Sequence, residues 1–98
     1  MKDKIKQITD ERGNNYGHPK NHFKCTQAMY QAWIDNRELS PDQLPPELEP
    51  ALKHGIYMIC DKLARMAKNP HHRDNLDDIK GYASCIEMVL DEVSKVVK

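Results

Sequence analysis

The sequence predicts an all-α fold, a small helical bundle formed by a single domain over residues 1–98. Apolar residues recur at intervals of three and four, as on a helix with one buried face, and almost never at the interval of two that marks a strand. A chain of 98 residues has the size of one domain. Only a short turn with Asn69 and Pro70 separates the two longest helical segments, which favours an antiparallel helix hairpin.

Two helices are predicted in the first part of the chain. Residues 2–9 form a short helix with Ile5 and Ile8 on one face, and residues 11–19 form a loop because they are rich in turn-forming residues. A second helix covers residues 20–36 and packs across the hairpin. Its apolar stripe consists of Cys25, Met29, Ala32 and Trp33.

A stiff connector and the two helices of the hairpin follow. Residues 37–50 hold four of the six prolines, and proline fixes φ. The third helix covers residues 47–68 and stops at Asn69, because a residue before proline resists the helical conformation. The fourth helix runs from residue 75 to the C-terminus and has the most regular apolar spacing. The buried residues of the hairpin are predicted to include Leu63, Ile79, Ala83 and Ile86.

The composition limits the classes of function. Fifteen basic residues balance fifteen acidic ones, which argues against extended nucleic acid as a partner, because coating it requires a basic excess. No apolar run could span a membrane and no signal peptide is visible, so a cytosolic location is expected. Three cysteines without a CxxC pair fit buried free thiols. A chain this small leaves apolar surface uncovered, so a homo-oligomer is expected, most simply a dimer.

The most informative region, which we call the polar corner, is the turn between the third and fourth helices with the adjoining helix ends, residues 61–82. Lys62 and Arg65 are three apart on the third helix, and the planar guanidinium of arginine can donate two hydrogen bonds to one phosphate. His72 and Arg73 extend this basic rim. The alternative is that the cations only form salt bridges with the acids of the fourth helix.

The acidic residues of the polar corner also have two interpretations. Asp74 as N-cap, followed by Asp77, can complement the positive end of the fourth helix. Alternatively, Asp74 and Asp78 are four apart and can converge with Asp61 of the third helix. Three carboxylates suit Mg²⁺, which prefers hard oxygen ligands. Magnesium is therefore expected only if the protein is an enzyme, and no cofactor is expected otherwise.

Further side chains are predicted to face the polar corner. A turn positions Tyr16 and His18 toward it, with His18 outside the second helix. His18 and His22 are four apart, which leaves a zinc half-site as a minor alternative. Glycine within a helix costs about 1 kcal/mol relative to alanine, so Gly81 suggests close approach of a helix or a ligand. Tyr82 either faces the same cleft or packs at a helix edge.

The chain carries motifs that are fairly specific in combination. They are Tyr16-Gly17-His18-Pro19, Asp61-Lys62-Leu63-Ala64-Arg65, Asn69-Pro70, His72-Arg73-Asp74 and Asp77-Asp78-Ile79-Lys80-Gly81-Tyr82-Ala83. This pattern resembles a family of small helical proteins encoded by bacteriophages and prophages and catalogued as a domain of unknown function. The resemblance spans nearly the whole chain outside the connector. It implies an all-α fold and a phage origin, with the host cytosol as the location, but no activity.

A fainter resemblance is to the all-α nucleoside triphosphate pyrophosphohydrolases of the MazG type. Those proteins bind Mg²⁺ and a nucleotide between acidic helices. Their paired glutamates before the turn are absent here, where Asp61 and Lys62 stand instead, and this difference argues against hydrolysis.

The leading functional prediction is a binding protein rather than an enzyme, one that binds or sequesters a nucleotide or another phosphorylated small molecule at the polar corner. Its ligand-binding residues are predicted to be Tyr16, His18, Lys62, Arg65, His72, Arg73, Asp74, Asp78 and Tyr82. The first alternative is an Mg²⁺-dependent nucleotide pyrophosphohydrolase. Its metal ligands would be Asp61, Asp74 and Asp78. The second alternative is an anti-defence protein that inhibits a host enzyme by protein–protein contact.

Overall fold

The computed structural model describes residues 18–96, and all regular structure in this part of the chain is helical. Helix α1 spans Pro19–Glu38, α2 spans Glu49–Lys68, α3 spans Arg73–Asp91, and the short α4 spans Val93–Val96. The absence of strands between residues 18 and 96 confirms the all-α prediction there. The predicted helix over residues 2–9 and Tyr16 lie outside the described residues. None of the helices between residues 18 and 96 has the length and apolar character of a membrane span.

The first turns of α1 and α3 begin at histidine N-caps. His18 has an extended backbone, and its Nδ1 accepts a hydrogen bond from the backbone N–H of Lys20 at 3.1 Å. This agrees with the prediction that His18 precedes the second predicted helix. The N-cap of α3 is His72 and not Asp74, because the helix begins earlier than predicted. Asp74 therefore lies in the first turn, where its charge complements the helix dipole.

Helix α2 is the central element of the fold. It packs against α1 on one side and α3 on the other, whereas no Cα atom of α1 lies within 8 Å of one in α3. The sequence predicted that the helix now called α1 packs across both α2 and α3. Among the described helices it contacts α2 alone. Close packing of α3 depends on Gly55, since a Cβ at this position would lie 2.7 Å from Cγ1 of Ile86.

The buried core between residues 18 and 96 is small and partly polar. Its apolar members are Leu52, Cys60 and Ala64, and its polar members are His22, Thr26 and Asn75. Leu63, predicted to be buried, is 43% exposed, and Ala83 is also exposed. Ile79 and Ile86 are half-buried. The predictions for Leu63 and Ala83 are wrong in the single chain, because no described helix covers the side of α2 on which Leu63 lies or the side of α3 on which Ala83 lies.

The proline-rich connector is fixed by one ion pair between the helices that it joins. Arg37 Nε donates to Glu49 Oε1 at 3.1 Å, and Arg37 Nη2 also contacts this oxygen. Arg37 Nη1 donates to the backbone carbonyl of Asp42 at 2.7 Å. Glu49 Oε1 accepts from the backbone N–H of Leu44 at 3.3 Å. The stiffness predicted from proline content is thus reinforced by polar contacts between the connector and both helix ends.

This ion pair should give the protein a pH-dependent stability. The guanidinium of Arg37 lowers the pKa of the Glu49 carboxyl below its ordinary value of 4.5. A carboxyl with a lowered pKa stabilises the folded state above its unfolded pKa, and this contribution is lost as the pH falls through the folded pKa. We expect Glu49→Gln to lower the midpoint of urea unfolding at neutral pH, and the difference from wild type to shrink below pH 4.5.

The matched control is Glu47→Gln, which alters an exposed carboxyl on the same connector. This substitution should leave the urea midpoint close to that of wild type at every pH. If the urea midpoint of the Glu49→Gln protein stayed below that of wild type by the same amount from neutral to acidic pH, the assigned role of the charge would be contradicted.

Candidate functional site

The carboxylate of Asp61 contacts both a histidine of α1 and an arginine of its own helix, and so joins α1 to α2. Asp61 Oδ1 accepts a hydrogen bond from His22 Nε2 at 2.9 Å, and Asp61 Oδ2 lies 3.2 Å from Arg65 Nε. The side chains of His22, Asp61 and Arg65 are 7%, 16% and 26% exposed. Because an ionised carboxylate only accepts, His22 must carry a proton on Nε2. Burying these groups is costly unless each is paired, so their positions are tightly constrained.

A pocket of about 350 Å³ opens beside this ionic group, between the first turns of α1 and the last turns of α2. It is lined by His18, Asn21, His22, Cys25, Ala64, Ala67 and Lys68. The alanines leave the space open because they carry no long side chains. Its lining combines polar side chains with alanine methyl groups, a mixture common in small-molecule sites.

Three groups of this pocket can donate hydrogen bonds to a ligand. Since His18 Nδ1 accepts from the helix backbone, the neutral ring carries its proton on Nε2. Asn21 and Lys68 are exposed at the pocket, and Lys68 forms no ion pair with any residue between 18 and 96. The pocket therefore offers one uncompensated positive charge and two neutral donors.

The cations on the α2–α3 side of the polar corner face acidic residues. Lys62 Nζ lies 3.0 Å from Asp78 Oδ2, and Arg73 Nε lies 3.5 Å from Asp77 Oδ1. Lys62 therefore forms the kind of salt bridge with an acid of the fourth predicted helix that the alternative interpretation of the polar corner describes. Asp78 of α3 thus pairs with α2, whereas Asp61 of α2 contacts His22 of α1.

The structure thus brings the predicted site residues together in two groups rather than one. His18 and Arg65 lie at or beside the pocket, whereas Lys62 and Asp78 pair across the α2–α3 contact. Arg73, Asp74, His72 and Tyr82 occupy the beginning and middle of α3, with the first two exposed and the last two half-buried.

Metal-ligand geometry is not seen in the described part of the chain. No group of three or more histidine, cysteine or acidic side chains between residues 18 and 96 is arranged to hold a metal ion. Asp61, Asp74 and Asp78 therefore do not converge as the magnesium alternative expects. His18 and His22, considered as a minor zinc alternative, each use one ring nitrogen in a protein contact: His18 Nδ1 caps α1 and His22 Nε2 contacts Asp61.

Several residues of the site were missed by the sequence interpretation. Asn21, Cys25 and Lys68 line the pocket, and His22 is buried against Asp61. The spacing of His18 and His22 was a usable signal, because it places both on one helical face. Cys60 lies deeper between the helices, and burial, with a smaller contribution from Cys25, raises the pKa of its thiol.

Two features of α3 also differ from expectation. A Cβ on Gly81 would meet nothing within 4 Å among the described residues, so this glycine does not mark a close helix contact there. Asn75 is 2% exposed, and its Nδ2 has no hydrogen-bond partner among them. Nothing in the sequence pattern indicated that a polar residue would be the most buried position of α3.

Comparison with known proteins agrees with the predicted phage resemblance. The chain is 32% identical over 85 residues to the Gene 55 protein of Mycobacterium phage D29, covering 87% of this chain and 49% of that protein. It is 28% identical over 80 residues to the Gene 55 protein of Mycobacterium phage L5, covering 82% and 45%. The chain thus spans about half the length of the curated relatives it matches. No solved structure matches it significantly.

The family assignment rests on a match over most of the chain. Residues 1–90 match the model of a domain of unknown function, DUF6378. This confirms the predicted membership of a family without an assigned activity, whereas the fainter MazG likeness stays a prediction. The chain belongs to the DUF6378 family.

Proposed function

We propose that this protein binds a phosphorylated small molecule, such as a nucleotide, in the pocket between α1 and α2, and that it does so in the host cytosol as a binding protein rather than an enzyme. The observation that carries the proposal is the juxtaposition of an uncompensated cation, Lys68, with the donors His18 and Asn21 around one cavity. A phosphate group accepts several hydrogen bonds and attracts positive charge, so these groups match its chemistry.

The buried ionic group would hold this pocket in shape. His22 forms part of the pocket wall, and its ring is fixed by Asp61, which also contacts Arg65. A wall with fixed dipoles and charges does not need to reorganise when a ligand binds, which lowers the cost of association. Arg65, predicted to clamp phosphate directly, acts in this proposal by orienting Asp61.

The proposal also includes an antiparallel hairpin of α2 and α3. Gly55 faces Ile86, and Lys62 faces Asp78, so residue numbers rise along α2 as they fall along α3. The short turn between the helices is consistent with this arrangement. The hairpin places the predicted residues Arg73, Asp74 and Tyr82 along α3, away from α1. They are expected to contribute less to binding than Lys68.

Replacement of Lys68 by Gln should weaken binding of a nucleotide roughly tenfold or more, because a charge-assisted hydrogen bond to phosphate is lost. The measurement is a thermal-shift screen of nucleotides and cyclic nucleotides, followed by calorimetry of the best binder. A ligand at a hundredfold excess over Kd stabilises the folded state by about 2.7 kcal/mol. The matched control is Lys80→Gln, an exposed lysine of α3 outside the pocket, which should bind as wild type does.

The screen is performed with and without Mg²⁺ and with product detection. Stabilisation without turnover supports a binding protein, and Mg²⁺-dependent product formation would assign the hydrolase alternative instead. Failure of every phosphorylated compound to stabilise the protein would overturn the proposal, as would equal binding by the wild-type and Lys68→Gln proteins.

A further inference from the structure

The apolar residues of α2 and α3 follow the heptad spacing of a helical bundle. On α2 the intervals between successive apolar residues alternate between four and three positions, at Leu52, Ile56, Ile59, Leu63 and Met66. On α3 the intervals alternate between three and four positions, at Leu76, Ile79, Ala83, Ile86 and Leu90. Such spacing produces two adjacent rows on each helix, and both rows are buried in a complete bundle.

Only one of these two rows is well covered within the chain. Leu52 is buried, and Ile86 packs on Gly55. The second row, which we call the open seam, consists of Ile56, Leu63, Leu76, Ala83 and Leu90. Leu63 and Leu90 are each 43% exposed, Ala83 is exposed, and the other two are half-buried. One of the two apolar rows that the heptad spacing predicts thus has no partner row among the described residues.

The two halves of the open seam lie on the same side of the helix pair. The Lys62–Asp78 ion pair marks one edge of the α2–α3 contact, and Gly55 and Ile86 mark its middle. Around the circumference of α2, at 3.6 residues per turn, Lys62 and the seam residues lie on opposite sides of Gly55. Around α3, Asp78 and the seam residues lie on opposite sides of Ile86. Both therefore emerge at the edge opposite the ion pair and form one continuous apolar surface.

Helix α1 does not cover this surface. Helix α1 packs on α2 and comes no nearer than 8 Å, between Cα atoms, to α3, so it cannot bridge the seam. The seam contains no charged side chain, and the chain as a whole has a net charge of +0, so two copies would meet without electrostatic repulsion.

We infer that the open seam is the interface of a homodimer, in which two copies of the α2–α3 pair face each other and complete a four-helix bundle. A two-fold axis places the same apolar rows opposite each other, as an isologous interface requires. Two helices of about 20 residues present a face of roughly 30 by 20 Å. Two such faces bury about 1,200 Å² in total, the lower limit for a stable protein interface.

The test is the mass of the full chain in solution, determined by sedimentation equilibrium at micromolar concentration. The wild type is expected to be a dimer, and Leu63→Glu and Leu90→Glu should each raise the dimer dissociation constant by roughly tenfold or more. Both positions are already partly exposed within one chain, so the monomer tolerates the charge. Circular dichroism verifies that each variant is helical.

The matched control is Met88→Glu, which places the same charge on α3 outside the seam at a side chain that is 69% exposed. This variant should dimerise as the wild type does. The inference is overturned if the wild type is a monomer, if both seam variants remain dimeric with unchanged affinity, or if Met88→Glu weakens the dimer as much as they do.

Discussion

Replacing Asp61 with Ala is expected to destabilise the fold by about 3–5 kcal/mol, because removal of one partner from a buried ionic group leaves the others uncompensated. Asp61 contacts His22 on α1 at 2.9 Å and Arg65 on its own helix at 3.2 Å. The His22–Asp61 contact joins α1 to α2 beside the pocket. The loss is measured as the free energy of unfolding in urea.

The control for this result is Asp78→Ala. Asp78 also pairs with a cation, Lys62 at 3.0 Å, but its side chain is 49% exposed. Exposed ion pairs contribute about 0–1 kcal/mol, because water solvates and screens the separated charges. Similar losses for the two alanine variants would show that burial of the Asp61 contacts adds nothing and would refute the role given to this carboxylate.

The two helical glycines are expected to respond to alanine with opposite signs. Gly55→Ala should cost about 1–3 kcal/mol, since the new Cβ would lie 2.7 Å from Ile86 Cγ1 and force α3 away. Gly81→Ala should stabilise the protein by about 1 kcal/mol, because alanine has the higher helix propensity and its Cβ would meet no atom of the described residues within 4 Å. Urea unfolding of both variants measures the difference.

A second substitution shows whether the cost at Gly55 arises from contact with α3. Removing the opposing Cγ1 by Ile86→Ala should make Gly55→Ala less costly, so that the two effects are not additive. Strict additivity would place the origin of the loss elsewhere. A destabilised Gly81→Ala protein would mean that this glycine is required by an interaction outside residues 18–96 of a single chain.

The helices were predictable because the apolar spacing within each helix is a local property. The bounds of α1 and α2 follow the predicted ranges closely, with His18 just before α1 and Pro70 just after α2. The fourth predicted helix was expected to continue to the C-terminus, but α3 ends at Asp91 and the short α4 follows it. The choice of Asp74 over His72 as N-cap was wrong by two residues, because an N-cap preference of about 1 kcal/mol is too small to fix a helix end more closely than that.

The arrangement of the site was less predictable because it depends on neighbouring helices. The sequence places Asp61 on α2 but does not say whether it faces α1 or α3, and the predicted magnesium group assumed α3. The structure pairs it with His22 of α1. Likewise, the burial expected for Leu63 assumed that each apolar row has a neighbour within the chain, whereas that row is open in one copy.

The position of α2 between two helices that do not touch each other also affects cooperativity. Every contact between α1 and the rest of residues 18–96 passes through α2 or the connector, and α3 is attached to α2 independently. Detaching α1 would therefore leave the Gly55–Ile86 contact intact, and detaching α3 would leave the His22–Asp61 contact intact. Local unfolding can start from either flank, so α2 should be the last segment to lose its protection against amide hydrogen exchange.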